Sequence, residues 1–410
     1  GSLNLTTTQQ AANSISGTAG TLSGINTSGT DRLTVNQNID TAFHGAISNT
    51  VLVKNGSGHL YLSGSGDNGA GTLVVNEGLV SLAKSSTNGV HAAGGGTSLT
   101  INGGTARLGG NFTNVGASGN NTPPADTPTN YVDQIYYQAT VALNAGTFDL
   151  NGRSESFNGL TGAAGEITNS ATGSTSWLYT GQENASSSFG GSINDGTGTV
   201  GYVKLGTGTQ TFTGNSSYTG ETEVRAGTLS VQGALSGSNV EVKGGATLAG
   251  TGSLLGLTTE AFATVSPGVG APGILTVTGS ALLDGGTLSL QLNGLTAGTG
   301  YDQLSANSVS LASDVDLVLT LGFTPTPFVD SFVIVSNTGV TPVGGSGLFT
   351  YNGAPLANGD RFLVGQDEFQ IIYNGGSGND VILQAVPEPG TAALLLVGAT
   401  LGFSRRRRRN

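Results

Sequence analysis

The stretch Tyr202–Val231, YVKLGTGTQTFTGNSSYTGETEVRAGTLSV, decides the fold, because its last third recurs along the chain. Around Gly227, the glycine of RAGTLSV, the positions five and three before and two and four after are Thr222, Val224, Leu229 and Val231. The same offsets give Leu73, Val75, Val80 and Leu82 around Gly78, and Leu99, Ile101, Ala106 and Leu108 around Gly104. They give Val141, Leu143, Phe148 and Leu150 around Gly146, and Ala281, Leu283, Leu288 and Leu290 around Gly286. Thr222 is the single polar residue in the set.

Apolar residues two apart share one face of a strand, so each unit reads as two short strands joined at a corner. The glycine supplies a positive φ at that corner, and Asn76, Asn102 and Asn144 stand two places before it in three of the units, with Asp284 in a fourth. One unit cannot bury its apolar face alone. Stacked copies can, each strand pairing with its equivalent in the next rung about 4.8 Å away. The pattern therefore predicts an all-β solenoid of the parallel β-helix kind.

Working outward, KNGSGHLYLSG (Lys54–Gly64) aligns with KLGTGTQTFTG (Lys204–Gly214), sharing the lysine, three glycines and an apolar position at Leu62 and Phe212. Each is followed by a full unit, at Gly78 and Gly227, which points to a duplicated module. The unit near Gly245, VEVKGGATLAG, is one residue short on its second arm and predicts a bulge or a changed corner. Residues 3–50 read as the first rungs. From Tyr301 the alternating runs lengthen and Pro325 and Pro327 enter, as expected of final rungs and a β-rich cap over the last unpaired edge. The divisions are a repeat solenoid over 1–300, final rungs and cap over 301–385, and a tail over 386–410.

Composition agrees with a turn-rich all-β chain: 70 glycines in 410 residues and a charged fraction of 10%. The net charge is -11 although five of the fourteen basic residues cluster at Arg405–Arg409, so nucleic acid is not an expected partner. Cysteine is absent and His44, His59 and His91 lie in different segments, which excludes disulfides and gives no ligand-like histidine spacing. No cofactor and no metal is expected. A chain opening Gly1-Ser2 without any methionine reads as processed or excerpted.

The stretch LGTGTQTFTGNSSYTGETEVRAGTLSV resembles the autotransporter-associated β-strand repeat of bacterial surface and secreted proteins, and the YDQL…GDRFLVGQDEFQIIYNGGSGNDVILQAVPEP ending resembles the C-terminal part of such chains. The resemblance implies a right-handed parallel β-helix of passenger type, and no enzyme activity by itself.

The tail has three parts: Pro387-Glu388-Pro389, the charge-free run Gly390–Ser404, and Arg405, Arg406, Arg407, Arg408 and Arg409 before Asn410. As a helix at 1.5 Å per residue the middle part spans about 22 Å, short of a ~30 Å hydrocarbon core, yet its arginine-bounded, Leu/Ala/Gly-rich composition is that of a marginal spanning helix. This order is similar to the PEP-CTERM sorting signal of Gram-negative bacteria. By that resemblance Pro387, Glu388 and Pro389 are read by an exosortase, a membrane cysteine protease. The short C-terminal hydrophobic helix then holds the chain in the inner membrane, and the arginines stop transfer.

Three further features carry candidate chemistry. The stretch ASGNNTPPADTPTNYVDQIYYQ, with Pro123, Pro124 and Pro128, is expected to leave the stack as a surface loop. Its Tyr131, Tyr136 and Tyr137 either lie back on the wall or contact a ligand such as an extracellular polysaccharide. GGSGNDVIL, Gly375–Leu383, fits the calcium nonapeptide pattern once, with Asp380 as the carboxylate; a single copy lacks half of a shared cage, and a Gly-rich hairpin turn is the plainer reading. Enzymes on β-helices gather carboxylates on neighbouring rungs, but Asp149, Glu155, Glu166, Glu183 and Asp195 form no paired motif in sequence. The sequence thus points to an exported, non-enzymatic structural or adhesive surface protein, with a carbohydrate-acting β-helix lyase or glycosidase as the alternative.

Overall fold

A computed structural model describes residues 2–5, 8–24, 31–68, 70–85, 90–93, 98–110 and 129–387. Among them every regular element is a β-strand. The chain divides into two compact units, Gly1–Leu248 with Gly252–Leu255, and Ala249–Thr251 with Gly256–Asn410.

In the first unit the repeat template becomes the register. Leu99 and Ile101 pair in parallel with Leu73 and Val75 on one side and with Val141 and Leu143 on the other. Ala106 lies between Val80 and Phe148 on the second wall. All of these side chains are buried, so each rung lays its apolar pair on the pair below. Thr222, the polar exception, is also buried and is tied by hydroxyl contacts to Ser238 (2.7 Å) and Tyr218 (2.5 Å).

The corners stack as closely as the walls. Gly104 has φ 61°, and a β-carbon there would lie 2.5 Å from the Gly78 carbonyl oxygen; at Gly146 it would lie 2.4 Å from that of Gly104. Only glycine permits that approach. Beside this column runs a ladder of side-chain amides, Asn36, Asn55, Asn76, Asn102 and Asn144, each bonded to the next at 2.8–3.0 Å. The asparagines placed by the sequence as turn residues therefore also join rung to rung.

The duplicated module appears as a repeated buried lysine. Lys54 Nζ donates to the carbonyls of Asn55, Gly56 and Glu77 (3.0, 2.6 and 3.3 Å), and Lys204 Nζ to those of Leu205, Gly206 and Ala226 (2.5, 2.9 and 3.3 Å). Three acceptors suit the three donors of an ammonium group. The changed corner expected near Gly245 is a longer one: residues 243–246 separate Val242 from Thr247, where residues 225–227 separate Val224 from Thr228.

One expectation is corrected. The proline-bearing residues 111–128 lie outside the described residues, but the tyrosine end of that stretch is part of the stack. Val132 N donates to Ser154 O, Tyr131 bridges Ser154 and Ile135 bridges Ala93, all in parallel sense. An aliphatic and aromatic run, Tyr131-Val132 and Ile135, is what a buried rung needs once the prolines are passed.

In the second unit Ile274–Asp284 pairs in parallel with Gln303–Ser313, and Thr287–Leu292 with Val315–Leu321. The sense of pairing then changes. Asp380–Val386 runs antiparallel between Ser331–Asn337 and Asp367–Gly375, and Arg361–Val364 closes the set. Phe332, packed against Tyr301, Phe323 and Phe369 with ring centroids 5.4–6.1 Å apart, fills the centre of this cap. The expected cap is thus an antiparallel sheet on parallel rungs. The expected C-terminal helix lies outside the described residues.

Candidate functional site

The last strand delivers the tail. Val381, Leu383, Ala385 and Val386 are buried, Ala385 N donates to Asp330 O, and Pro387, the first residue of the sorting motif, is buried at the strand's end. Glu388, Pro389 and Arg405–Arg409 lie outside the described residues. No stretch of unpaired chain separates Val386, paired with Glu368, from Pro387.

Beside this exit are an apolar knuckle and a cleft. Thr326 to Asp330 forms a tight turn: Asp330 Oδ2 accepts from Thr326 N at 2.6 Å, and Asp330 N donates back to Thr326 O. Phe328 N donates to Ala385 O at 2.8 Å, while the Phe328 and Val329 side chains are 69% and 71% exposed. Pro325, Pro327, Gln366 and Asp367 face Val386 and Pro387 across a cleft of about 220 Å³.

The tyrosines are placed separately. Tyr131 and Tyr137 are buried, and the Tyr131 hydroxyl is 2.6 Å from Ser156 Oγ. Tyr136 is half-buried and meets the His91 ring edge-on at 5.2 Å. Trp177, in turn, lies over Gly201 of the next rung, 2.6 Å from where a β-carbon would stand.

Around His91 the structure assembles charges that are far apart in sequence. Its Nδ1 is 3.2 Å from Asp67 and its Nε2 3.5 Å from Asp133. Burial would lower the imidazole's pKa, but the hydrogen bonds and charges of Asp133 and Asp67 outweigh it and hold the group at about 9. Glu155, fully buried below, is pushed upward by burial and by Asp133, although it accepts from the amides of Gln134, Ser156 and Ile135 at 2.8, 3.0 and 3.3 Å. Burial also lowers Lys84, whose Nζ donates to Gly45 O, to about 8. The sequence missed this cluster because Asp67, His91 and Asp133 come from separate irregular segments and carry no spacing signal. Chemically it is an imidazolium clamped by two carboxylates, and it ties three stretches of chain together.

Asp380 opens the last strand. Asp380 Oδ1 accepts from Asn337 N at 2.9 Å, and Gly375 pairs with Asp380 across a glycine-rich hairpin turn. Asn379 Nδ2 donates to Gly339 O at 2.5 Å. Among the described residues no group of three or more His, Asp or Glu is arranged to hold a metal ion.

Comparison with known proteins agrees with the two motifs. The passenger-associated-transport-repeat model matches residues 52–82 and 203–231, the two segments that share the buried-lysine corner. The PEP-CTERM protein-sorting motif matches residues 385–409. No curated protein gives a significant match to the chain. The motif marks an exported protein handled by an exosortase. The chain is thus a parallel β-solenoid in which two segments match the passenger-associated-transport-repeat and the C-terminal segment matches the PEP-CTERM sorting motif.

Proposed function

We propose that this is a non-enzymatic structural protein of the cell surface or extracellular matrix, a right-handed β-helix held in the inner membrane by Gly390–Ser404 until exosortase acts at Pro387-Glu388-Pro389. The observation that carries the reading is the placement of that motif directly after the last strand of a closed cap. Arg405–Arg409 would keep the tail's end cytoplasmic. Contact with extracellular polysaccharide would then use the solenoid walls, with half-buried Tyr136 as the most accessible of the three tyrosines.

The alternative, a carbohydrate-acting β-helix enzyme, draws on one feature, the gathering of Asp67, Asp133 and Glu155 near His91. An imidazolium held at about 9 is a poor base at neutral pH, and Glu155 is committed to backbone amides. That favours a structural role for the cluster. Fractionation of cells carrying the sorting machinery tests the proposal: the parent is expected outside the inner membrane, and a variant with Pro387, Glu388 and Pro389 replaced by alanine is expected to stay in it. Equal distribution of the two would contradict it. Cleavage of a polysaccharide by the parent but not by Glu155→Gln would support the enzyme instead.

A further inference from the structure

We propose that the cap's apolar knuckle, Pro327-Phe328-Val329, together with Gln366 and Asp367 at the adjoining cleft, is a docking surface for the sorting protease. The inference rests on the proposed sorting at Pro387–Pro389. It goes beyond that reading by placing part of the recognition on the folded body.

A protease that reads a linear signal ordinarily takes residues on both sides of the cut in extended form, along a cleft. Here the upstream side is extended but already paired within the sheet, so it is not free to enter a cleft. Val386 is bonded into the sheet opposite Glu368, Ala385 exchanges hydrogen bonds with the knuckle turn, and Pro387 is buried. Extracting four upstream residues would expose Leu383, Ala385 and Val386, which are at most 4% exposed in the fold. The enzyme therefore meets a folded surface upstream of the motif.

That surface is identified by chain length. Phe328 is bonded to the carbonyl of Ala385, and from Ala385 to Pro387 the chain reaches at most about 7 Å. Any enzyme that engages Pro387 is within contact of the knuckle. Its features are those of an interface: two large apolar side chains about 70% exposed and held by a turn that Asp330 pins on both sides. Phe328 has φ 64°, a conformation that costs a bulky residue about 1 kcal/mol or more and that an asparagine or glycine would adopt more readily. A second cleft of about 560 Å³, lined by Leu321, Phe323 and Val364, continues the same face and shares Gln366 and Asp367 with the first.

The test is a pulse-chase of the full chain in a host with the sorting protease, following loss of the tail by mass. Phe328→Asn suits the left-handed backbone and removes the ring, and Val329→Ser removes its neighbour. The double variant is expected to fold with a urea midpoint no lower than the parent's and to be processed at least tenfold more slowly. With a twelve-residue Gly-Ser linker inserted between Val386 and Pro387, processing should no longer depend on Phe328. Processing of the double variant at the parent's rate would overturn the proposal. So would release of the unprocessed double variant from the membrane, which would assign the knuckle to lipid. If the parent itself keeps its tail while the protease cuts a control substrate, the sorting reading fails instead.

Discussion

At the scale of single residues the fold depends on a few positions where no other side chain fits. Gly104 sits at positive φ with its α-carbon against the Gly78 carbonyl, so Gly104→Ala adds both backbone strain and a contact at 2.5 Å. A loss of about 3 kcal/mol is expected, read as a lowered urea midpoint at constant slope. His91 makes a different demand. Its pKa is raised from 6.5 to about 9 in the fold, so its contribution is fully present below pH 6.5 and is lost as pH rises through 9. The stability gap between the parent and His91→Gln should be about 2–3 kcal/mol near pH 6 and close to zero by pH 10, in urea titrations across that range. Lys204 has the opposite sign. Burial lowers it to about 8, so relative to Lys204→Met the parent should gain stability between pH 8 and 10.5, where only the unfolded chain still binds the proton.

At the scale of elements, the repeats are joined by three parallel devices: apolar pairs in the interior, the glycine column at the corner, and the amide ladder outside it. The ladder runs through Asn102, which donates to Asn76 and accepts from Asn144. Asn102→Ala should cost about 1–2 kcal/mol, and Asn36→Ala, at the ladder's end with one such bond, about half as much. Equal costs in paired chemical denaturation curves would mean that the ladder is incidental. The interior pairs and the corner glycines were legible in the sequence because a period-2 arm and a fixed offset survive in five units, those at Gly78, Gly104, Gly146, Gly227 and Gly286. The ladder was half legible: Asn76, Asn102 and Asn144 stood out, but Asn36 and Asn55 sit outside the template. Tyr131–Ile135 was misjudged because prolines and a long intervening stretch hide a rung whose partners, Ala93 and Ser154, precede and follow it at unequal distances. The His91 cluster was not legible, since Asp67, His91 and Asp133 come from irregular segments between strands rather than from repeated arms.

At the scale of the whole molecule, a repeat stack needs an end, and the cap supplies it while presenting the sorting motif. The strand Asp380–Val386 lies between two others, so in the folded cap the motif follows directly on a central strand. Leu383→Asp, which places a charge at a fully buried site opposite Phe332 and Ile371, should unfold the cap and leave the repeat unit intact. Limited proteolysis should then remove the residues beyond about 330 and spare the first unit. The tail's three-part order was readable without any structure. What the fold adds is that Pro387 follows directly on a paired and buried strand.

The account's central claim is that the chain is exported and released through that motif, and intact mass of the released protein tests it most directly. Expressed with a sorting protease, the parent should yield a product that keeps Val386 and lacks Arg405–Arg409, while the chain with alanines at Pro387, Glu388 and Pro389 keeps its full tail. A tail retained in both chains would contradict the account, as would a product cut upstream of Val386, which would have lost its last core strand.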